Sequence, residues 1–507
     1  MLRILNKPYV SGALAMLLGA LATLAFAPFD CKLLSPLALA GVISLASMST
    51  PLKAFRLGWL FGFAHFASGI YWTFISTHVY GGAPAWLGLL LCVLLYAYMA
   101  LYPALAMLAV AWIAARKPAL VLLAAPAAFT LTELLRGWWW TGFPWLSQGY
   151  VALDTPLASL APLVGMHGLS FLLVLIAAAL LSLVREKARA PAAWAALALT
   201  GLAVWLAPQP LVWTHDSGPA LSTAIIQGQG EIRMNEKWKP ETRELLVTRF
   251  RDMTLSARDA QLVVWPEGPL PATYAALQPY YLADLDSLLK PTGAALFLGV
   301  LVESEDHSGL YNSVILQGAA GGRYDKRHLV PFGEFFPIPD WLRPMMDVLG
   351  TPYSDFAFGK PEQPLLEAQG QKIFANICFE DVFADEFRRH AQGAALLINQ
   401  TNDSWFGEGV APFQHLQIAR MRALENGRWF IRATNSGISA LIGPGGEVAA
   451  KTSGLYEVAL LRGQVRPRAG ATPYARFGDA PLWAACALLL FGSLLLVSRI
   501  SSKSQVL

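Results

Sequence analysis

The chain of 507 residues is 55% hydrophobic and only 14% charged, and its mean hydropathy is +0.44. Soluble globular proteins carry roughly 25% charged residues, so this composition excludes an ordinary soluble protein. The net charge of +4 is small and dispersed, and we therefore expect no nucleic-acid partner.

The charged residues divide the chain into parts of different character. Residues 1–207 hold 15 charged side chains, whereas residues 208–507 hold 57. We therefore predict a membrane domain at 1–207, a water-soluble domain at 208–479, and a final membrane helix with a short tail at 480–507.

The apolar parts predict eight membrane spans, seven before the soluble block and one after it. A helix needs about 20 apolar residues to cross the hydrocarbon core. Windows of about this size or longer lie at 8–29, 33–52, 57–115, 118–135, 155–184, 190–215 and 480–498. The window 57–115 holds two spans, because the turn formers Gly81 and Pro84 interrupt it. Glu133 and Arg136, three residues apart on one helix face, are expected to form a structural ion pair.

Basic residues predict the orientation of these spans, since cytoplasmic loops carry an excess of Lys and Arg. With the N-terminus inside, the short outer loops hold only Lys32 and Arg136, and eleven other basic residues fall on the inner side. This arrangement places both termini in the cytoplasm and the soluble domain outside it. A cleaved signal peptide is the alternative for the first span, because "ALATLAFA" resembles a cleavage region. The retained span is favoured because the later spans still require membrane insertion and the topology closes with it.

The soluble block reads as an α/β domain in which strands and helices alternate. The predicted strands are 222–227, 261–265, 295–302, 312–316, 372–377, 395–399, 429–433 and 437–442. The predicted helices are 241–257, 280–290, 382–392 and 413–426.

Cys378 stands apart from the other three cysteines because it alone lies in the soluble block. No disulfide can form within that block, and a solitary thiol in an oxidising compartment indicates a function. An inert thiol in the core is the alternative.

Three polar clusters follow predicted strands, where reactive groups gather in open α/β sheets. Glu267 follows the strand 261–265, Lys326 and Glu334 follow a predicted β-hairpin, and Cys378 ends the strand 372–377. Each has a plain alternative: a solvated loop carboxylate for Glu267, a surface charge run for Lys326, and a core thiol for Cys378.

Together these residues can support nucleophilic catalysis. A thiol needs a proton acceptor, which Glu267 can be, and an oxyanion needs donors, which Lys326 and the backbone N–H of Phe379 can supply. None of the eight histidines lies in a convincing Cys–His setting, and His328 is the nearest candidate. Zinc-ligand spacing is absent, so we expect no metal and no cofactor.

The ordered Glu, Lys and Cys in the contexts "WPEG", "YDKRHLVPFGE" and "NICFED" resemble the carbon–nitrogen hydrolase (nitrilase) superfamily. With helices before and after this domain, the chain is similar to the apolipoprotein N-acyltransferases of Gram-negative bacteria. The resemblance implies a polytopic α-helical membrane protein of eight spans. It also implies a nitrilase-like αββα sandwich on the periplasmic face of the inner membrane.

The resemblance also implies residue roles. Glu267 matches the family's general base, Lys326 its lysine and Cys378 its nucleophile. Four further positions match supporting residues: Glu334, Glu380, Trp238 in "NEKW", and Phe379, where some members carry Tyr. The two glutamates are expected to position Lys326 or to tune Glu267.

The implied activity is N-acyl transfer in lipoprotein maturation. An acyl chain passes from a phospholipid, expected to be phosphatidylethanolamine at its sn-1 position, to Cys378 as a thioester. It then passes to the α-amino group of a diacylglyceryl-modified N-terminal Cys of an apolipoprotein. The default expectation for the oligomeric state is a monomer.

Two segments agree with a lipid substrate. Residues 136–150 gather aromatic side chains at the expected headgroup depth, and residues 334–350 are unusually apolar for a soluble loop. We predict that 334–350 is a mobile arm that dips into the membrane and gates acyl-chain access. An ordinary aromatic belt and a buried core loop are the respective alternatives.

Two other functions remain open at this point. A membrane-anchored amidase or hydrolase of the same superfamily would use water as acceptor, but anchoring alone needs one helix. A transporter or receptor would require ionisable residues along the spans, and apart from Glu133 these are nearly absent.

Overall fold

The computed structural model describes residues 7–186, 189–207, 212–304, 309–336, 341 and 356–503, with the backbone alone for 499–503. The chain divides into two compact units. The first comprises Met1–Tyr71, Leu89–Gln209 and Arg476–Leu507, and the second comprises Trp72–Gly88 and Pro210–Ala475. Residues 72–88 therefore belong to the second unit, although in sequence they lie within the apolar half.

The first unit is built from apolar helices, one of which, Ala85–Met99, begins in the second unit. They are Pro8–Thr23, Leu34–Ser47, Pro51–Gly69, Ala85–Met99, Leu101–Ala114, Val121–Arg136, Ala161–Arg185, Pro191–Leu206 and Ala480–Lys503. Each predicted window contains a helix, and the interruption predicted near Gly81 lies between Pro51–Gly69 and Ala85–Met99.

The helices differ in their capacity to cross a membrane. In the part of the chain that the structure describes, four are long and apolar enough: Ala85–Ala114, Pro118–Arg136, Pro156–Arg185 and Ala480–Ser498. Three more are apolar but shorter, namely Pro8–Thr23, Leu34–Ser47 and Pro191–Leu206. The chain is thus a protein with several apolar helices suited to a membrane.

Small residues allow these helices to pack closely. A Cβ added at Gly58 would lie 2.8 Å from the Pro103 carbonyl oxygen, and one at Gly62 would lie 2.9 Å from the Ala100 Cα. Such contacts are typical of membrane helices. The hydrophobic effect does not drive these helices together within lipid, so their association depends on the close packing that small residues allow. The predicted ion pair is also present: Arg136 Nη2 lies 3.6 Å from Glu133 Oε1, and both side chains are largely buried.

The second unit contains fourteen described strands in three sheets. In chain order they are β1 Thr214–Asp216, β2 Leu221–Gln227, β3 Leu262–Val264, β4 Ala295–Glu303, β5 Leu310–Gly318, β6 Gly322–Asp325, β7 Leu366–Ala368, β8 Gln371–Ile377, β9 Leu396–Thr401, β10 Phe430–Thr434, β11 Ala440–Ile442, β12 Val448–Lys451, β13 Ala459–Val465 and β14 Arg468–Gly470. One six-stranded sheet has the order β13-β2-β3-β4-β5-β6, and the other has the order β12-β11-β10-β9-β8-β7. Strands β1 and β14 form a separate antiparallel pair.

The two large sheets face each other and carry helices on their outer sides. Apolar residues of both sheets, among them Phe297 and Ile398, form one fully buried cluster between them. The helices Pro240–Ser256, Tyr274–Leu277 and Ala283–Leu289 cover the first sheet, and Ala384–His390 and Ala411–Asn426 cover the second. The result is a four-layer αββα sandwich.

All eight predicted strands and all four predicted helical regions are present, with shifted ends. The sequence patterns missed six strands, β1, β6, β7 and β12–β14. These are short or carry exposed residues, as in β12, whose side chains alternate between half-buried and exposed. They therefore lack the continuous apolar run on which the prediction depended.

The central strands of both sheets are parallel, β2–β4 in one and β8–β10 in the other. Parallel neighbours end at the same edge of a sheet, so residues that follow them are brought together. Glu267 and Cys378 occupy such positions, after β3 and β8.

Candidate active site

Glu267, Lys326 and Cys378 each lie within three residues of the end of a strand, and all three are buried. Glu267 lies three residues beyond β3, Lys326 is the first residue after β6, and Cys378 is the first after β8. Their exposed fractions are 8%, 1% and 7%. The fold therefore buries three polar side chains that are spread over a segment of 112 residues in the sequence.

Cys378 lies at a sharp turn of the backbone. Its φ of +52° falls in the left-handed region, which non-glycine residues rarely adopt, and the 3-10 helix Cys378–Val382 begins there. Its carbonyl oxygen accepts a hydrogen bond of 3.2 Å from Asn399 Nδ2. Backbone strain of this kind persists only where the surrounding structure holds it in place, and it is found most often at functional sites.

The environment of Cys378 favours the protonated thiol over the thiolate. Burial and the negative charge of Glu267 raise the pKa of Cys378 well above its ordinary value, and Lys326 opposes them only in part. A thiol is a weak nucleophile until it loses its proton. A nucleophilic role for Cys378 would therefore require a base, and the nearby carboxylate that acts on the thiol is Glu267.

Lys326 lies between two carboxylates. Its ammonium is 2.8 Å from Glu334 Oε1 and 3.4 Å from Glu267 Oε1. Burial lowers the pKa of Lys326, but the two carboxylates outweigh burial, so the net effect raises it. The lysine is thus a permanent cation, as charge stabilisation of an oxyanion requires.

Asn312 on β5 joins the same two carboxylates. Its Nδ2 donates to Glu267 Oε1 at 2.6 Å and to Glu334 Oε1 at 3.1 Å. Glu334 also accepts from the backbone N–H of Val330 at 2.8 Å. Buried charges are tolerated when they are paired and hydrogen-bonded. The four side chains therefore form one polar network, in which Asn312 Oδ1 accepts no hydrogen bond from the described residues.

Glu380 lies beside the loops that carry Lys326 and Cys378. Its carboxylate accepts from the hydroxyl of Tyr324 at 2.8 Å and from the backbone N–H groups of Arg327 (2.8 Å), His328 (3.2 Å) and Ile377 (2.7 Å). Glu380 thus connects the loop after β6 with the loop after β8. Glu334, and not Glu380, is hydrogen-bonded to the Lys326 ammonium.

The remaining expected residues lie at the margin of this network. The side chain of Trp238 is 63% exposed, and it belongs to the loop between β2 and the helix Pro240–Ser256. Phe379 is buried, and its ring contacts those of Phe383 and His328. His328 pairs with Glu386 at 3.0 Å. Residues 337–340 and 342–350 of the expected mobile arm lie outside the described residues.

A second buried network lies behind the Cys378 loop. His415 is 3.0 Å from Asp381 and 2.9 Å from Asp403, and Arg432 Nη2 donates to Asp403 at 2.8 Å. All four side chains are inaccessible to solvent. Because Asp381 lies three residues after Cys378, this network fixes the turn that presents the thiol.

Replacing His415 by Gln is expected to destabilise the protein in a pH-dependent way. Burial and Arg432 lower the pKa of His415, but Asp381 and Asp403 outweigh them and raise it. Ion pairing of a group with a raised folded-state pKa is fully present below its ordinary pKa and is lost as the pH rises through the raised value. The decrease in thermal midpoint caused by His415→Gln should therefore be larger at about pH 6 than at about pH 9. Equal decreases at both pH values would contradict a charged His415.

Comparison with known proteins decides the family. A sequence model of the apolipoprotein N-acyltransferase N-terminal domain matches residues 18–179, and one of the carbon–nitrogen hydrolases matches residues 222–474. The chain is 40% identical to the apolipoprotein N-acyltransferase of Methylococcus capsulatus over 482 residues, 94% of each chain. It is 40% identical to that of Pseudomonas syringae over 99% of each chain. It is 41% identical to that of Azotobacter vinelandii over 98% of this chain and 97% of that one.

The chain belongs to the apolipoprotein N-acyltransferase family. The family and the enzyme class predicted from the sequence are therefore confirmed, and the chain is an acyltransferase. Membership of the apolipoprotein N-acyltransferases also accounts for the joint presence of apolar helices and a nitrilase-like domain.

Sequence reasoning missed several residues of this apolipoprotein N-acyltransferase site. Four of them contact or adjoin the loops that carry Glu267, Lys326 and Cys378: Asn312, Tyr324, His415 and Lys237. For Asn312 a signal was available, because it is a polar residue within the otherwise apolar "YNSVIL" of β5. Lys237 precedes Trp238 in "NEKW". Its burial could not be predicted, because a segment rich in charged residues indicates exposure to solvent.

Proposed function

We propose that this acyltransferase works through two half-reactions joined by a thioester on Cys378. The observation that carries the proposal is a buried cysteine under the electrostatic influence of the buried Glu267–Lys326 ion pair. A single base, a single cation and a nucleophile are sufficient for acyl transfer to and from sulfur.

In the first half-reaction Glu267 takes the proton of Cys378, and the sulfur attacks the ester carbonyl of a phospholipid. Lys326 and the backbone N–H of Phe379 hold the oxyanion. The carbon–oxygen bond of the ester then breaks, and Glu267 returns its proton to the departing oxygen. The products are an acyl thioester on Cys378 and a lysophospholipid.

In the second half-reaction the α-amino group of a diacylglyceryl-modified N-terminal Cys attacks the thioester carbonyl. Glu267 takes a proton from the attacking nitrogen. The carbon–sulfur bond then breaks, and the same proton passes to the Cys378 sulfur. An amide is formed on the lipoprotein, and the resting enzyme is restored.

We propose phosphatidylethanolamine, at its sn-1 ester, as the acyl donor. Exposed aromatic residues support a lipid substrate: Trp138, Trp139 and Trp140 are all more than half exposed. Trp341, which falls within the proposed gating arm 334–350, is 76% exposed. Trp side chains favour the interface between lipid and water, where headgroups lie.

We propose that the protein spans the inner membrane of a Gram-negative bacterium eight times as a monomer. The domains would be 1–207, 208–479 and 480–507, with both termini in the cytoplasm and the catalytic domain in the periplasm. The distribution of Lys and Arg supports this topology. Fusing a periplasm-active reporter after residue 300 should give activity, and fusing it after residue 503 should give none; the reverse pattern would overturn the topology.

The experiment that tests the mechanism follows the intact mass of the purified protein. Incubation with phosphatidylethanolamine and no amine acceptor should add the mass of one acyl chain, removable by hydroxylamine. Adding a diacylglyceryl peptide should discharge the adduct and acylate the peptide. Steady release of fatty acid without an adduct would favour the alternative, a hydrolase that uses water. If neither an acyl adduct nor released fatty acid were detected, the proposed donor would be overturned.

A further inference from the structure

A second lysine lies at the proposed base. Lys237 belongs to the loop between β2 and the helix Pro240–Ser256, and it is 3% exposed. Its ammonium donates a hydrogen bond to the carbonyl oxygen of Gly268, the residue that follows Glu267. The loop that carries Trp238 is thereby tied to the loop that carries Glu267.

The charge of this lysine is poorly compensated. An ammonium has three N–H donors. Among the described residues, Gly268 supplies the one hydrogen-bond acceptor, and no carboxylate forms an ion pair with Lys237. Glu267 is the charged group that influences it. Burial of an unpaired charge is costly, and a site retains such a group when its charge has a use.

The loop is anchored at other points as well. Gln229 Nε2 donates to Ser404 Oγ at 3.0 Å, and Asn402 Nδ2 lies 3.5 Å from Met234 Sδ. These contacts hold the start and the middle of the loop against the segment after β9. Lys237 is therefore not needed to fix the whole loop, and its contact acts locally on the Glu267 turn.

We propose that Lys237 is a positioning residue whose ammonium holds the Glu267 loop in place and sets a positive charge beside the catalytic carboxylate. The inference rests on the proposed role of Glu267 as the base. It assigns Lys237 to the acylation machinery and predicts that acylation needs the charged form of this lysine.

The charged form is lost within an accessible pH range. Burial lowers the pKa of Lys237 to about 8, and Glu267 opposes the decrease. A neutral amine could still donate to the Gly268 carbonyl, so a merely structural tether would survive deprotonation. A role that depends on the positive charge would be lost on deprotonation. The pH profile of acylation therefore distinguishes a structural tether from a charge-dependent role.

The experiment compares wild type, Lys237→Arg, Lys237→Met and Lys239→Met. Lys239 is the matched control, because it lies in the same loop, is 61% exposed and pairs with Glu236. The readout is the single-turnover rate of thioester formation with phosphatidylethanolamine and no acceptor, from about pH 6 to about pH 9.5. Thermal midpoints are measured for each variant to confirm folding.

The wild-type rate should fall at high pH with an apparent pKa of about 8. Lys237→Arg should remove this fall, because guanidinium remains charged. Lys237→Met should reduce the rate about tenfold at about pH 7 and also remove the fall. Lys239→Met should keep the wild-type profile.

A folded Lys237→Met protein with the wild-type rate and profile would overturn the inference. So would a Lys237→Arg protein that keeps the alkaline fall, and this variant carries the test if Lys237→Met does not fold. Absence of a thioester on wild type would instead overturn the proposed function, and the inference with it.

Discussion

Cys378→Ala is expected to form no acyl adduct with phosphatidylethanolamine and to lose N-acyl transfer by on the order of 10⁴-fold or more. The sulfur is the only atom of the enzyme that becomes bonded to the acyl carbon in the proposed scheme. Intact mass and transfer to a diacylglyceryl peptide measure the two consequences independently.

Cys31→Ala is the matched control for this substitution, because Cys31 is an exposed free thiol outside the catalytic network. It should show the wild-type adduct and rate. If Cys378→Ala still formed an acyl adduct and Cys31→Ala formed none, the nucleophile would be Cys31 and the proposal for Cys378 would be wrong. Cys378→Ser should fold normally and react very slowly, since a buried hydroxyl is harder to deprotonate than a thiol.

Lys326→Met is expected to impair both catalysis and stability. Removing the cation leaves the buried carboxylates of Glu267 and Glu334 without their ion-pair partner, which costs about 3–5 kcal/mol of unfolding free energy. It also removes a charge from the oxyanion site, and the acylation rate should fall about 10³-fold. Thermal midpoints in detergent and single-turnover acylation measure the two effects.

The double variant Lys326→Met with Glu334→Gln separates these effects. Removing both members of the 2.8 Å pair should recover part of the stability, because no unpaired charge then remains at Glu334. It should not recover the acylation rate. A single Lys326→Met variant that kept a tenth of the wild-type rate would contradict the oxyanion role of this lysine.

Local sequence patterns were sufficient for much of the fold. The apolar runs 261–265 and 372–377 appear as β3 and β8, because strands buried between layers are continuous in apolar residues. Edge strands such as β12 and β13 were missed, since their partly exposed side chains resemble those of loops. The α/β class followed from the central strands, whereas the full width of each sheet did not.

By itself, the sequence determined the division into apolar and soluble parts, the positions of Glu267 and Cys378 after strands, and the resemblance to a family. These depend on composition and local pattern, which a single chain displays directly. The tertiary structure alone decided that Lys326 follows a strand, and which side chains Glu267, Lys326 and Cys378 meet. Asn312 reaches Glu267 from 45 positions away, and Tyr324 reaches Glu380 from 56. Such pairs arise because sheets bring distant strand ends together, and no local periodicity records which ends will meet.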